Sequence, residues 1–178
     1  MNFKPLASLS LVCLLLSVPG MADTLYSNGP INGNDNAVGI SYIQEVSDSF
    51  GLGSASTIGS ISFGAWVLEG DAPLNVSWSI SSAPAGGTIY ASGTSSLTNS
   101  LFCTKGPSCG LNQYDVYNSA FSTNVSLDQG SYYLTLSNAT TVKNNGFDWD
   151  ENDGIGCSGV GCPSSAYVFI SATVRSDG

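Results

Sequence analysis

The sequence contains no histidine. Histidine is the general base of the Ser-His-Asp and Cys-His catalytic systems, and it is the commonest metal ligand in proteins. Its absence excludes both kinds of nucleophilic enzyme and every metal site that depends on imidazole ligands.

Basic residues are also scarce. Four Lys and Arg residues stand against 13 Asp and Glu residues, which gives a formal net charge of -9. Only Lys105, Lys143 and Arg175 lie beyond residue 22. Because nucleic-acid binding depends on clustered Lys and Arg side chains, we expect no nucleic-acid partner and no attraction to anionic membranes. An acidic chain of this kind suits cation binding or a neutral polymer partner, although a solvated acidic surface explains the charge equally well.

Long hydrophobic runs are missing except near the start of the chain. Lys4 precedes an apolar stretch at residues 6–18, and residues 19–22 (PGMA) supply a helix break and a small-x-small cleavage site. The run is shorter than the ~20 apolar residues of a membrane span. This pattern predicts a signal peptide at residues 1–22, cleaved after Ala22, and a secreted, extracellular product without a membrane span. Residues 23–178 then have the length of a single domain.

Stretches rich in Ala, Glu, Lys and Leu are absent, whereas residues 57–68 and 74–81 alternate apolar and polar side chains. A period of two indicates strands with one buried and one solvated face, with Trp78 inward and Trp66 and Tyr133 outward. Other strand-like segments lie at residues 38–46, 88–92, 96–102, 114–127 (with a break near Asn118), 131–137 and 165–174. About seven to ten short strands predict an all-β fold, a single antiparallel, jelly-roll-like β-sandwich.

Four cysteines follow the predicted signal peptide, and an even number in an exported chain indicates disulfides. Three pairings are open. We favour Cys103–Cys109 and Cys157–Cys162, because each pair closes a short loop that contains turn residues. Such loops contribute about 2–3 kcal/mol each in the chain-entropy model. The alternative is a four-thiolate zinc site, against which the oxidising compartment and the lack of paired C-x-x-C spacing argue.

The order and spacing of several segments resemble those of exported bacterial PEP-CTERM proteins. The segments are residues 26–33, 46–50, 63–66, 78–82, 90–93, 130–134 and 149–152. Members of this family are associated with bacteria that make exopolysaccharide and biofilm, and most have no established activity. The resemblance therefore implies an exported protein and assigns no catalytic residue. The sequence departs from the family at residues 173–178 (TVRSDG), which hold no Pro-Glu-Pro motif, apolar anchor helix or basic cluster.

The densest polar cluster lies at residues 148–154 (DWDENDG). Ca²⁺ takes about six to eight oxygen ligands, and the candidates here are Asp148, Asp150, Glu151, Asn152 and Asp153. Asp153 occupies the position of the EF-hand glycine, which argues against an EF-hand, and an irregular calcium loop is the metal-binding interpretation that stays open. Residues 32–36 (NGNDN) supply further ligands if they lie nearby. The alternative is an acidic surface turn tethered by the second cysteine pair.

Three aromatic side chains are candidates for stacking on sugar rings: Trp66, Tyr133 and Trp149. The first two lie on predicted solvated strand faces, and Trp149 lies within the acidic cluster. Exposed aromatic side chains on a β-sandwich often form binding surfaces. Packing between layers is the alternative for Trp66.

Paired carboxylates also serve glycoside hydrolysis, which needs two carboxyl groups roughly 5–9 Å apart across a cleft. The glutamates are Glu45, Glu69 and Glu151, and no pattern places two carboxyl groups across a groove. The leading hypothesis is therefore a secreted, non-catalytic β-sandwich of the cell surface or extracellular matrix, associated with exopolysaccharide or with a matrix protein. A calcium-dependent carbohydrate-binding module is the alternative, and a glycoside hydrolase is the least favoured. No cofactor other than calcium is expected.

Overall fold

A computed structural model describes residues 23–34, 36–152 and 154–170. Within these ranges the chain forms ten strands and a short 3-10 turn, Gly110–Asn112. The predicted signal peptide, residues 1–22, lies outside the described residues, and so does the end of the last predicted strand. The strands are β1 (Ala37–Gly39), β2 (Gln44–Leu52), β3 (Ser56–Leu68), β4 (Pro73–Ala83), β5 (Gly86–Ser96), β6 (Thr98–Cys103), β7 (Tyr114–Leu127), β8 (Gly130–Thr141), β9 (Phe147–Asp150) and β10 (Ala166–Ile170).

The strands form two antiparallel sheets of five strands each. The order is β1-β9-β3-β7-β6 in the first sheet and β10-β2-β8-β4-β5 in the second sheet. The predicted all-β sandwich is therefore confirmed. Among the described residues, no helix is long and apolar enough to cross a membrane.

The core lies between the inner faces of the two sheets. The alternation predicted for β3 turns Phe63, Ala65 and Val67 inward, where they are 5 %, 0 % and 0 % exposed. Val76 of β4 packs with them from the second sheet, and Ile80, further along β4, packs in a neighbouring cluster with Leu52, Leu127 and Tyr132. Burying a side chain of this size contributes about 1.5–3 kcal/mol, so these facing rows fix which side of each strand is inside.

The prediction that Trp66 points to solvent is wrong. Trp66 does lie on the outer side of β3, but it is 1 % exposed. Loops cover that side of the first sheet, and the ring packs in a second apolar cluster with Cys109 and Val116, flanked by Ile31 and Tyr114. A side chain so covered cannot stack on a sugar ring, so packing is the role that the structure gives it.

Two predicted strands have different limits in the structure. The segment at residues 38–46 is split into β1 and β2, because the chain crosses from one sheet to the other through a turn in which Tyr42 has φ of 59°. The break expected near Asn118 does not occur, because β7 pairs with β3 along its whole length.

Both favoured disulfides are present, Cys103–Cys109 and Cys157–Cys162, with Cα–Cα distances of 6.2 and 5.9 Å. The first closes the loop after β6 over the Trp66 cluster. All four cysteines beyond the predicted signal peptide are used in these bonds, which leaves no free thiolate for the zinc alternative.

Candidate functional site

The predicted calcium loop begins as a strand. β9 lies between β1 and β3 in the first sheet, and its alternation turns Phe147 and Trp149 towards the core and Asp148 and Asp150 away from it. The Trp149 ring packs edge-on against Phe63, with ring centroids 6.0 Å apart. The expectation that Trp149 sits in a loop is therefore wrong, and its half-buried ring is part of the core.

Asp150 is enclosed on the outer side of β9, where it is 8 % exposed. Its carboxylate accepts a hydrogen bond from the Trp66 indole N–H at 2.6 Å. It also accepts bonds from the main-chain N–H groups of Asn32 and Gly33 at 3.2 and 3.3 Å. Hydrogen bonds to an ionised acceptor are the strong ones in proteins. Protein donors thus hold a carboxylate that the sequence suggested for Ca²⁺, and they tie residues 32–33 to the sheet.

The residues after Asp150 are also hydrogen-bonded to the segment at residues 30–36. The main-chain N–H of Glu151 donates to the Asn36 carbonyl at 2.9 Å, and the Asn32 side-chain amide donates to the Glu151 carbonyl at 3.3 Å. The Asn152 side chain donates to the Pro30 carbonyl and accepts a main-chain N–H two residues later. The Asn-rich segment therefore does lie beside the acidic cluster, but the contacts described are hydrogen bonds within the protein.

Asp148 lies on the same outer side of β9 as Asp150, in register with Trp66. Burial raises its pKa above the ordinary value of 3.8. Asp153 lies outside the described residues. Within the described part of the chain, no group of three or more His, Cys, Asp or Glu side chains is placed to hold a metal ion. The calcium site remains a prediction, and the geometry gives Asp150 a structural role.

Two tyrosine side chains that are more exposed than the acidic cluster's Asp150 lie on the outer side of the second sheet. Tyr133 of β8 is in register with Ser49 of β2, and Tyr167 of β10 is in register with Ser47. The two tyrosines therefore flank β2 on the same side of the sheet. Their rings meet edge to face with centroids 6.0 Å apart, and Tyr167 is 40 % exposed. We call this surface the tyrosine face.

Ser and Thr residues lie on the tyrosine face between and beside the rings. Ser47 and Thr135 are buried in its floor and share a hydrogen bond of 2.9 Å. The turn between β4 and β5 folds over the same side, and the Ala85 N–H donates to the Ser47 hydroxyl at 3.4 Å. Further hydroxyls in the register rows of this face belong to Ser49, Ser77, Ser79, Thr94 and Ser137.

No protein family model, curated protein or solved structure matches this chain. The fold alone does not define a function, so the function of this domain depends on the groups that surfaces such as the tyrosine face present. The likeness to exported PEP-CTERM proteins remains a prediction.

Tyr167 was missed in the sequence, although Tyr133 was identified. The signal was present, since Tyr167 and Phe169 alternate with Ala166 and Val168 in the last predicted strand. What the sequence does not show is that β10 pairs with β2, which brings Tyr167 within ring contact of Tyr133.

Proposed function

We propose that this chain is an exported, non-catalytic β-sandwich that binds a neutral polysaccharide on its tyrosine face. The observation that carries the proposal is the Tyr133–Tyr167 ring pair on a sheet surface whose register rows include partly exposed Ser side chains. A tyrosine offers an apolar ring to the C–H face of a sugar and a polar hydroxyl to its rim. The surrounding hydroxyls both donate and accept hydrogen bonds, as sugar hydroxyls do.

The charge around the face favours a neutral polymer. Among the described residues the basic ones are Lys105 and Lys143, and both lie in loops. Glu45, in register with Ser137, adds a negative charge at one end of the face. An anionic polymer would meet repulsion here without a compensating cation.

Calcium is not needed for this mode of binding. Asp150 is held by Trp66, Asn32 and Gly33, and it lies in the first sheet, whereas both tyrosines lie in the second. We therefore expect polysaccharide binding to be equal in CaCl₂ and in EDTA.

The proposed location is the cell surface or the extracellular matrix. Two disulfides are compatible with an oxidising, extracellular compartment. An exopolysaccharide of that compartment is the natural neutral polymer for such a domain.

Affinity electrophoresis through gels that contain a neutral polysaccharide tests the proposal. We expect the protein to be retarded by at least one neutral β- or α-glucan, galactan or mannan, and Tyr133→Ala and Tyr167→Ala to abolish most of that retardation. Tyr42→Ala is the matched control, because Tyr42 is 64 % exposed but lies in the turn between β1 and β2. Equal retardation of the wild type and the Tyr133→Ala, Tyr167→Ala double variant would refute the assignment.

A further inference from the structure

We propose that the chain carries a second saccharide site, in a hollow between the edges of the two sheets. The proposal takes its ligand class from the proposed function but concerns different residues. The hollow has a volume of about 370 Å³. Its lining includes Phe121 and the five hydroxyl residues Ser60, Ser95, Ser96, Thr98 and Ser122.

The hollow forms where the chain passes from one sheet to the other. β5 of the second sheet ends at Ser96, and β6 of the first sheet begins at Thr98. β6 pairs with β7 only as far as Ala120, in register with Thr98. Beyond that point β7 has β3 on one side and, among the described strands, no hydrogen-bonded partner on the other. Main-chain groups on this free edge of β7 therefore lie beside the hydroxyls of the hollow.

The hydroxyls of the hollow are of two kinds. The Ser95 hydroxyl accepts a bond from the Trp78 indole N–H at 3.0 Å, and the Ser96 hydroxyl donates to the Asn75 side chain at 2.9 Å. Within the described part of the chain, the hydroxyls of Ser60, Thr98 and Ser122 make no hydrogen bond. Ser60 and Ser122 are direct cross-strand partners, so these free donors and acceptors stand close together.

Two packed aromatic rings lie behind the inner wall of the hollow. Phe121 is 4 % exposed, and its ring stacks on Trp78 with centroids 5.6 Å apart at 30°. Trp78 is itself fixed by its bond to Ser95. The packed rings hold the strands behind the hollow in place, so a ligand would not have to order its wall before it meets the uncommitted hydroxyls.

This lining fits a neutral, hydroxyl-rich ligand. No charged side chain lines the hollow, so an ion would be desolvated there without a partner. The volume falls in the range of roughly 300–1,000 Å³ that small-molecule sites occupy, which suits one or two sugar units. An extended peptide could pair with the free edge of β7, but it would leave the hydroxyls of Ser60 and Thr98 unused, so we favour the sugar.

The hollow and the tyrosine face are separate sites. β5 carries Ser95 and Ser96 of the hollow, and it lies two strands from Tyr133 on β8 and four strands from Tyr167 on β10. At about 4.8 Å per strand these separations are roughly 10 and 19 Å. Ser95 is in register with the buried Val76, on the inner side of the second sheet, whereas both tyrosines lie on its outer side. A chain with two such sites can link two polymer strands or hold one strand at two points.

Titration of ¹⁵N-labelled protein with neutral disaccharides and tetrasaccharides of glucose, galactose and mannose, followed by NMR, tests the proposal. We expect amide shifts at Ser60, Thr98 and Ser122 that saturate independently of those at Tyr133 and Tyr167. Thr98→Val with Ser122→Ala should weaken binding at the hollow at least ten-fold and leave the tyrosine face unchanged. Thr57→Val is the matched control, because Thr57 lies on the same pair of strands, in register with Ser126, outside the hollow.

Three outcomes would overturn the second site. The first is the absence of shifts at the hollow with every neutral sugar while the tyrosine face still responds, which would leave the proposed function intact. The second is a response of the hollow to a strand-forming peptide alone. The third is loss of the amide shifts at the hollow in the Tyr133→Ala, Tyr167→Ala double variant, which would show that both sets of shifts report binding at one site. Loss of the tyrosine-face response alone would refute the proposed function and not the hollow.

Discussion

Replacing Asp150 tests whether the acidic cluster is a structural device or a metal site. In Asp150→Ala, the carboxylate that accepts from Trp66, Asn32 and Gly33 is gone, and the indole N–H of a side chain that is 1 % exposed loses its partner. We expect this variant to fold with markedly lower stability in the absence of any metal.

The size of the effect follows from the contacts. A hydrogen bond to a charged group contributes about 1.5–3 kcal/mol, and an orphaned buried donor costs about 1–3 kcal/mol. The bond from Trp66 is short at 2.6 Å, whereas the two main-chain bonds are longer at 3.2 and 3.3 Å, so the three do not count equally. We expect a loss of about 3–5 kcal/mol in the free energy of unfolding, a large part of the ~5–15 kcal/mol of a typical domain.

Urea unfolding in EDTA, followed by far-UV circular dichroism, measures the loss as a lower midpoint at unchanged slope. Glu151→Ala is the matched control, since it removes the next carboxylate and should change stability by less than about 0.5 kcal/mol. Trp66→Phe removes the donor and part of the buried packing. Because the packing loss is present in both the single and the double variant, a double-mutant cycle with Asp150→Ala should still give a coupling of about 1–3 kcal/mol.

Two results would refute this reasoning. One is a stability of Asp150→Ala within about 0.5 kcal/mol of the wild type in EDTA. The other is a wild-type melting temperature that rises with CaCl₂ and stops rising in Asp150→Ala, because preferential binding of calcium to the native state would then involve this carboxylate.

Two further predictions concern pH. Burial alone would raise the pKa of Asp71, but hydrogen bonds from Thr141, from Asn145 and from the main chain hold that pKa below 3.8. The contribution of the ionised Asp71 to the stability of the fold is therefore complete above pH 3.8. It is lost as the pH falls through the lower pKa of the folded state. Urea unfolding should show Asp71→Asn about 2–4 kcal/mol less stable than the wild type at pH 7, with a gap that closes in acid; a gap independent of pH would contradict this. Burial raises the pKa of Asp148, so its ionised form weakens the fold and the wild type gains stability as the pH falls through that pKa. Asp148→Asn should therefore be more stable than the wild type at pH 7 and lose this advantage near pH 4. Lower stability of the variant at pH 7 would contradict this prediction.

The sequence predicted the sheets well where one side of a strand is solvated. β3 and β4 alternate cleanly, and their inner rows are the core. The same rule failed at Trp66, because loops distant in sequence cover the outer side of β3 there. Alternation reports the polarity of a face but not what the rest of the chain places over it.

The candidate sites were harder to predict. β9 was not predicted as a strand, because its acidic composition indicated a loop. Phe147 and Trp149 nevertheless alternate with Asp148 and Asp150, as a strand requires. Tyr133 was identified, but its pairing with Tyr167 depends on β10 joining β2. The hollow depends on where β6 stops along β7, and register of that kind is set by contacts between distant segments.

The strand order also governs when the molecule can assemble. β1 has β9 as its only neighbour among the described strands, and β8 is the strand that joins β2 to β4. Neither sheet can therefore be complete until residues 147–170 have been synthesised. Because strands from early in the chain pair with strands from its end, we expect both sheets to form late, after nearly all of the described residues have been made.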